Sequence, residues 1–213
     1  KITAFSAQKR SKNRVNVYLD DEFAFGLATI HAAKLHVGME LSDADVERLK
    51  VADEVERAHE RALNYLSYRP RSMAEMERYL TKHEFSETAI AEVLERLNRV
   101  GLMDDEAFAQ YWVENRLQFR PRGKRALRQE LRQKGVAYAI IESVLADVDE
   151  TSAARRVAEA QARRLTHLPP DVFKRRMTQR MARRGFSYAL IREILANYPF
   201  PELNSQESEE HEL

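Results

Sequence analysis

KRALRQELRQKGVAYAIIESVL, residues 124–145, decides the fold. It holds a helical apolar pair (Leu127, Leu131), a stop at Gly135, an anchor at Val136 and a second apolar stripe (Ile141, Val144, Leu145). The same order surrounds Phe85 in MAEMERYLTKHEFSETAIAEVL (73–94) and Phe186 in KRRMTQRMARRGFSYALIREIL (174–195). Nine residues before the three anchors stand Met76, Leu127 and Met177; five before stand Leu80, Leu131 and Met181. Five after stand Ile90, Ile141 and Ile191, and eight and nine after stand Val93-Leu94, Val144-Leu145 and Ile194-Leu195. Self-similarity at a period of about 50 residues marks a repeat architecture, whose units bury their apolar stripes against themselves and the next copy.

Working outward, each copy resolves into three helices. Ala-rich first helices are predicted over 53–68, 106–119 and 152–166. Breaks follow at Arg69-Pro70-Arg71, Arg120-Pro121-Arg122-Gly123 and Leu168-Pro169-Pro170, because proline cannot sit in a helix interior. Second helices span 73–83, 124–134 and 171–184, and third helices 87–100, 137–147 and 188–197. Ser72-x-x-Glu75 reads as a capping box. Gly135 and Gly185 suit a left-handed helix stop, where Glu84 stands in the first copy. Upstream, Val15, Val17 and Leu19 alternate with Asn16 and Tyr18, and Phe23 and Phe25 repeat the period of two. About three strands are predicted in 1–27, the first near 2–7, with turns at Ser11-Lys12-Asn13 and Asp20-Asp21. A short helix follows over 27–35, and Ser42 is the N-cap of the next. The expected class is mainly α: three tandem three-helix repeats in an elongated array with a small N-terminal β extension. The expected divisions are 1–50, 51–103, 104–149, 150–201 and a disordered acidic tail, 202–213.

Composition narrows the function. The chain has 213 residues, 44% of them hydrophobic, enough for a core. It has no Cys, which excludes disulfides and Cys-ligated metal, and no apolar run long enough to span a membrane. The start lacks the apolar stretch of a signal peptide, so a soluble cytoplasmic protein is expected. The net charge of +1 conceals a pattern: residues 151–201 hold 11 bases and 3 acids, whereas 202–213 hold 5 acids and no base. Screening confines each charge to about 10 Å, so a local basic face attracts polyanions whatever the total.

Catalytic signals are weak. None of the six His forms a metal-ligand pattern, and no phosphate loop or nucleophile elbow occurs. Asp104-Asp105-Glu106 precedes a helix and reads as N-capping. No enzyme activity, cofactor or metal is expected. The basic residues are more informative. Lys124, Arg125, Arg128 and Arg132 fall within one 100° stripe beside the core-facing Leu127 and Leu131. A solvated helix face would interleave Glu at i,i+4, and these helices largely lack it. Arg116, Arg120 and Arg122 lead into that helix. The third copy adds Arg163 and Arg164, then Lys174, Arg175, Arg176, Arg180, Arg183 and Arg184. All fifteen are candidate DNA- or filament-binding residues. Tyr111, Trp112, Phe119 and Phe173 lie near, with core packing their expected use. Helix 138–147 has acids and no base, so backbone contacts fit better than sequence-specific major-groove reading. The acidic first-helix face (Asp53, Glu54, Glu56, Glu60) reads as solvated or as facing a basic partner.

The run Leu66-Ser67-Tyr68-Arg69-Pro70-Arg71-Ser72 resembles the RecX family, as does Gly101-Leu102-Met103-Asp104-Asp105-Glu106-Ala107-Phe108-Ala109. So do Arg116, Gly123, the run from Leu131 to Gly135-Val136, and Ile140-Ile141. The segment from Val15 to Phe25 looks like the β extension of longer members. The third copy departs from the pattern at Pro169-Pro170. The resemblance implies a modulator of the RecA recombinase in DNA repair, homologous recombination and the SOS response. It would bind the RecA filament and DNA, single- and double-stranded, and inhibit ATP hydrolysis and strand exchange. A monomer with no membrane association and no cofactor is expected. A DNA-binding repeat protein acting without RecA, and a protein adaptor, are the alternatives.

Overall fold

The computed structural model describes residues 1–8, 11, 13–165 and 167–198. The predicted turn at Lys12, the end of the helix predicted to Thr166 and the acidic tail lie outside the described residues in whole or part. The chain divides into two compact units, Lys1–Asp104 and Asp105–Leu213.

The first unit opens with an antiparallel meander, β1 (Ile2–Ala7), β2 (Arg14–Leu19) and β3 (Glu22–Ala28). Asp20 and Asp21 turn β2 into β3 with φ of 49° and 70°, the left-handed pair a tight hairpin requires. Ile2, Val17, Phe25 and Leu27 bury one face, and Val46 and Leu49 pack on it from α2 (Asp43–Leu66). Phe23 departs from the expected period. A register shift after Val17 pairs Tyr18 with Phe23 while Val17 pairs with Phe25, so Phe23 leaves the buried face and meets Tyr18 edge-on. The helix predicted over 27–35 shrinks to one turn, α1 (Thr29–Ala32), because β3 pairing continues through Ala28.

The helix predicted to begin at 53 begins at Asp43, directly after the Ser42 cap. Ser42 and Asp45 form a complete capping box. The Ser42 hydroxyl and backbone N–H, then Arg48, hold the Asp45 carboxyl down to about 2. The α2 face read as acidic and solvated is largely consumed by the fold. Asp53 is buried, accepting from Ala28 N–H (2.9 Å) and the Arg14 guanidinium (2.7 Å). Glu54 accepts from the Ser86 N–H and hydroxyl, and Glu56 pairs with Arg96 at 2.7 Å. Glu60 alone of the four is exposed.

Helices α3 (Met73–Lys82) and α4 (Glu87–Arg99) complete the first three-helix copy around Val55, Ala58, Met76, Leu80, Ile90 and Leu97. Ser72 caps α3 by accepting from Glu75 N–H. The Glu75 carboxylate receives a two-pronged bond from Arg69 (2.9 and 3.0 Å). The Arg71 guanidinium lies 3.7 Å from the Tyr65 ring centre, and Tyr65 stacks on Tyr79 at 3.8 Å. The Arg-Pro-Arg-Ser element is thus a clasp between α2 and α3.

The second unit holds two copies. One is α5 (Asp105–Phe119), α6 (Lys124–Gln133) and α7 (Tyr138–Ala146) around Phe108, Val113, Leu127, Leu131, Ile141 and Leu145. The other is α8 (Glu150–Ala162), α9 (Pro170–Arg183) and α10 (Tyr188–Ala196) around Val157, Phe173, Met177, Met181, Phe186 and Ile191. All three copies stop their second helix identically. The anchor N–H of Phe85, Val136 and Phe186 reaches the carbonyl of Leu80, Leu131 and Met181. The residue before each anchor is left-handed: Glu84 (63°), Gly135 (82°) and Gly185 (88°).

Candidate nucleic-acid interface

The basic stripe of α6 divides in two. Lys124 and Arg128 turn back onto the protein. Lys124 Nζ donates to the Ala146 carbonyl (3.1 Å), and Arg128 grips Glu142 with two bonds (2.5 and 2.9 Å). That grip holds the Glu142 carboxyl below its ordinary range. Arg125 and Arg132 are exposed. Among the described residues neither has an acid within ion-pair distance. The cations do lack i,i+4 carboxylates, as expected, but Arg128 finds one elsewhere. The partners come from other helices, out of reach of an i,i+4 search.

Glu130 shows the same principle. It accepts from Trp112 Nε1 (2.9 Å) and Arg116 Nε (2.7 Å), and Arg122 stands 3.6 Å away. Arg116 also lies over the Trp112 ring at 4.3 Å, and Lys134 approaches it at 4.7 Å. Arg116 is therefore an internal strut between α5 and α6. Arg120 is exposed at the end of α5.

In the third copy Arg163, Arg164, Lys174, Arg175, Arg176 and Arg183 are exposed, whereas Arg180 donates to the Gln161 side chain (2.9 Å). Arg184 is half-buried. Burial, and the nearby charges of Arg122 and Arg164, push its guanidinium below its ordinary value. Arg122 of the α5–α6 turn and Arg164, just past α8, thus lie within electrostatic reach of Arg184 at the end of α9. Neighbouring like charges repel, and an anion between them relieves the repulsion.

Backbone packing joins the α5–α6 turn to the end of α9. Gly123 N–H donates to the Arg184 carbonyl (2.9 Å). A Cβ on Gly123 would lie 2.4 Å from the Gly185 carbonyl, and one on Gly185 would lie 2.4 Å from the Ala126 Cβ. Only glycine at both places lets the start of α6 meet the end of α9. Glu150 completes the start of α6 by accepting from Lys124 N–H (2.9 Å). Beside the contact runs a groove of about 400 Å³ lined by Arg125, Gln129, Gln179, Arg183 and Tyr188.

Of the aromatics singled out in the sequence, Phe173 is core, Trp112 is tied to Glu130, and Phe119 and Tyr111 are exposed. Sequence reasoning missed Tyr138 and Tyr188, which project into solvent two residues after their anchors. Their common offset was the available signal.

Three three-helix domains and a small sheet, with cationic second helices in two of the domains, define a helical-repeat fold. Family models agree along the chain. The regulatory protein RecX N-terminal domain matches residues 1–42, and the first, second and third RecX three-helix domains match 58–97, 104–145 and 148–195. The chain belongs to the RecX family of regulatory proteins. It is 37% identical over 151 residues to regulatory protein RecX of Lactobacillus gasseri, covering 70% of this chain and 55% of that one. It is 38% identical over 146 residues to that of Bacillus subtilis, covering 68% and 55%. The chain thus spans about half the length of the curated relatives it matches. A crystal structure of regulatory protein RecX superposes with a TM-score of 0.73 at 30% identity, over 91% of this chain and 98% of that one. RecX from Lactobacillus salivarius gives 0.61 at 28%, over 68% and 96%. Among the described residues no helix is long and apolar enough to cross a membrane.

Proposed function

We propose that this chain is a non-catalytic regulator that binds the RecA recombinase and its DNA filament as a monomer. It inhibits RecA ATP hydrolysis and strand exchange by blocking filament growth or promoting disassembly. The observation that carries the reading is the junction of α6 with the end of α9, where exposed Arg125 and Arg183 of two copies line one groove and Arg122 and Arg164 lie near Arg184. This surface suits the phosphate backbone of single- or double-stranded DNA, because guanidinium forks match phosphate oxygens. Lys124 and Arg128 support the surface from behind, so the contacts fall to Arg125, Arg132, Arg163, Arg164, Arg175, Arg176 and Arg183, with Arg120 at the margin.

The test is the DNA-dependent ATPase of the same organism's RecA titrated with this protein, beside DNA binding alone at matched salt. Inhibition well below one protein per RecA is the expected result. Tight DNA binding with an unchanged ATPase would instead indicate a DNA-binding protein acting without RecA. No effect on either would leave an adaptor whose basic helices meet an acidic partner.

A further inference from the structure

The two copies of the second unit share a set of residues that the first copy lacks. At matched positions α6 and α9 carry Lys124-Arg125 and Lys174-Arg175, then Gln129 and Gln179. The third helices open on Tyr138 and Tyr188. The first copy has Met73-Ala74, Arg78 and Glu87 in those places. Arg125, Gln129, Tyr138, Arg175, Gln179 and Tyr188 are all exposed, the two tyrosines at 68% and 62%.

The fold does not ask for these tyrosines. A helix start favours an acid, as at Glu87, and neither α7 nor α10 has one in its first turn. Tyr188 instead lies among cations, and Tyr138 lies near the Arg128–Glu142 pair. Tyr188 shares the 400 Å³ groove with Arg125 and Gln129 of the preceding copy and with Gln179 and Arg183 of its own. That groove brings Arg125 and Gln129 of one set beside Gln179 and Tyr188 of the other.

Resting on the DNA-binding reading above, we propose that Tyr138 and Tyr188 are two base-stacking posts on a single-stranded nucleic-acid track. Arg125 and Arg175 hold its phosphates, and Gln129 and Gln179 hydrogen-bond along it. Exposed aromatic faces among cations suit unpaired bases of any sequence, whereas duplex bases already stack on one another. The track therefore prefers single strands and takes no account of their sequence.

Full-length protein is tested against labelled oligothymidylate and against an abasic deoxyribose-phosphate strand of the same length and charge. The double variant Tyr138→Ala, Tyr188→Ala is expected to lose about 10-fold or more on oligothymidylate. It should bind the abasic strand as the unaltered protein does, and Tyr138→Phe with Tyr188→Phe should restore binding. Thermal melting of each variant establishes that it folds. Equal losses on both strands, or no loss on oligothymidylate, would overturn the stacking role while leaving DNA binding intact. Failure of the unaltered protein to bind either strand would remove the DNA-binding reading and this one with it. Loss of RecA binding with strand binding unchanged would make the tyrosines protein contacts and overturn the proposal.

Discussion

Glu84 is the residue at which the repeat departs most sharply from its own rule. It adopts φ of 63° where the other copies use glycine. A side chain there crowds the following carbonyl at a cost of about 1 kcal/mol. Glu84→Gly removes the crowding but enlarges the unfolded ensemble, leaving a net stabilisation of about 0.5 kcal/mol. Thermal melting should show a rise of about 1–2 °C in Tm, and an unchanged or lower Tm would mean that Glu84 makes a compensating contact. The left-handed stop was legible from sequence because it recurs at a fixed offset. Asp53 was not. Its partner Arg14 lies 39 residues away on a strand, and no local pattern announces that a charge on an amphipathic helix has a buried mate.

At the scale of elements, all nine helices of the three copies were legible, since apolar periodicity and proline breaks are local signals. The Ser42 cap of α2 was legible, but the first copy's helix was read as starting afresh at 53, although no breaker separates it from that cap. The cross-helix ion pairs Arg116–Glu130 and Arg128–Glu142 were hidden for a related reason. Both span 14 residues and a turn, so they exist only once α6 has packed on its neighbours. The contact of Gly123 with Gly185 lay deeper still, since it joins two copies. Gly123→Ala puts a Cβ into the Gly185 backbone and should cost about 1–3 kcal/mol. It should also weaken DNA binding by separating Arg122 from Arg184. A full-strength DNA complex with a lowered Tm would show that the junction serves stability alone.

Over the whole molecule, charge is distributed unevenly. Residues 1–104 hold 16 Lys+Arg and 18 Asp+Glu, whereas residues 105–201 hold 19 and 11. Counting alone placed the basic region correctly but did not sort its members. The sorting depends on which guanidinia already hold carboxylates, and it gives a salt-dependence prediction. Neutralising Arg125 and Arg175 together should flatten log K against log salt by about 1.4 for single strands, from about 0.7 per phosphate contact. Replacing Arg128 and Glu142 together by Gln should leave that slope nearly unchanged, because their charges already cancel. Equal slopes for the two double variants would show that the ion pair opens on binding.

The bond from Gly123 N–H to the Arg184 carbonyl has a mechanical consequence. The carbonyl that caps α9 meets the amide that precedes α6, so the two helices are tied through main chain. A pull on a strand held at Arg175 would pass into α6 through main chain, which yields far less than side chains. On the proposed track the two cationic rows would act as a single stiff ruler, with a spacing set by two backbones in van der Waals contact. A bound strand that bends or stretches would have to adjust to the protein.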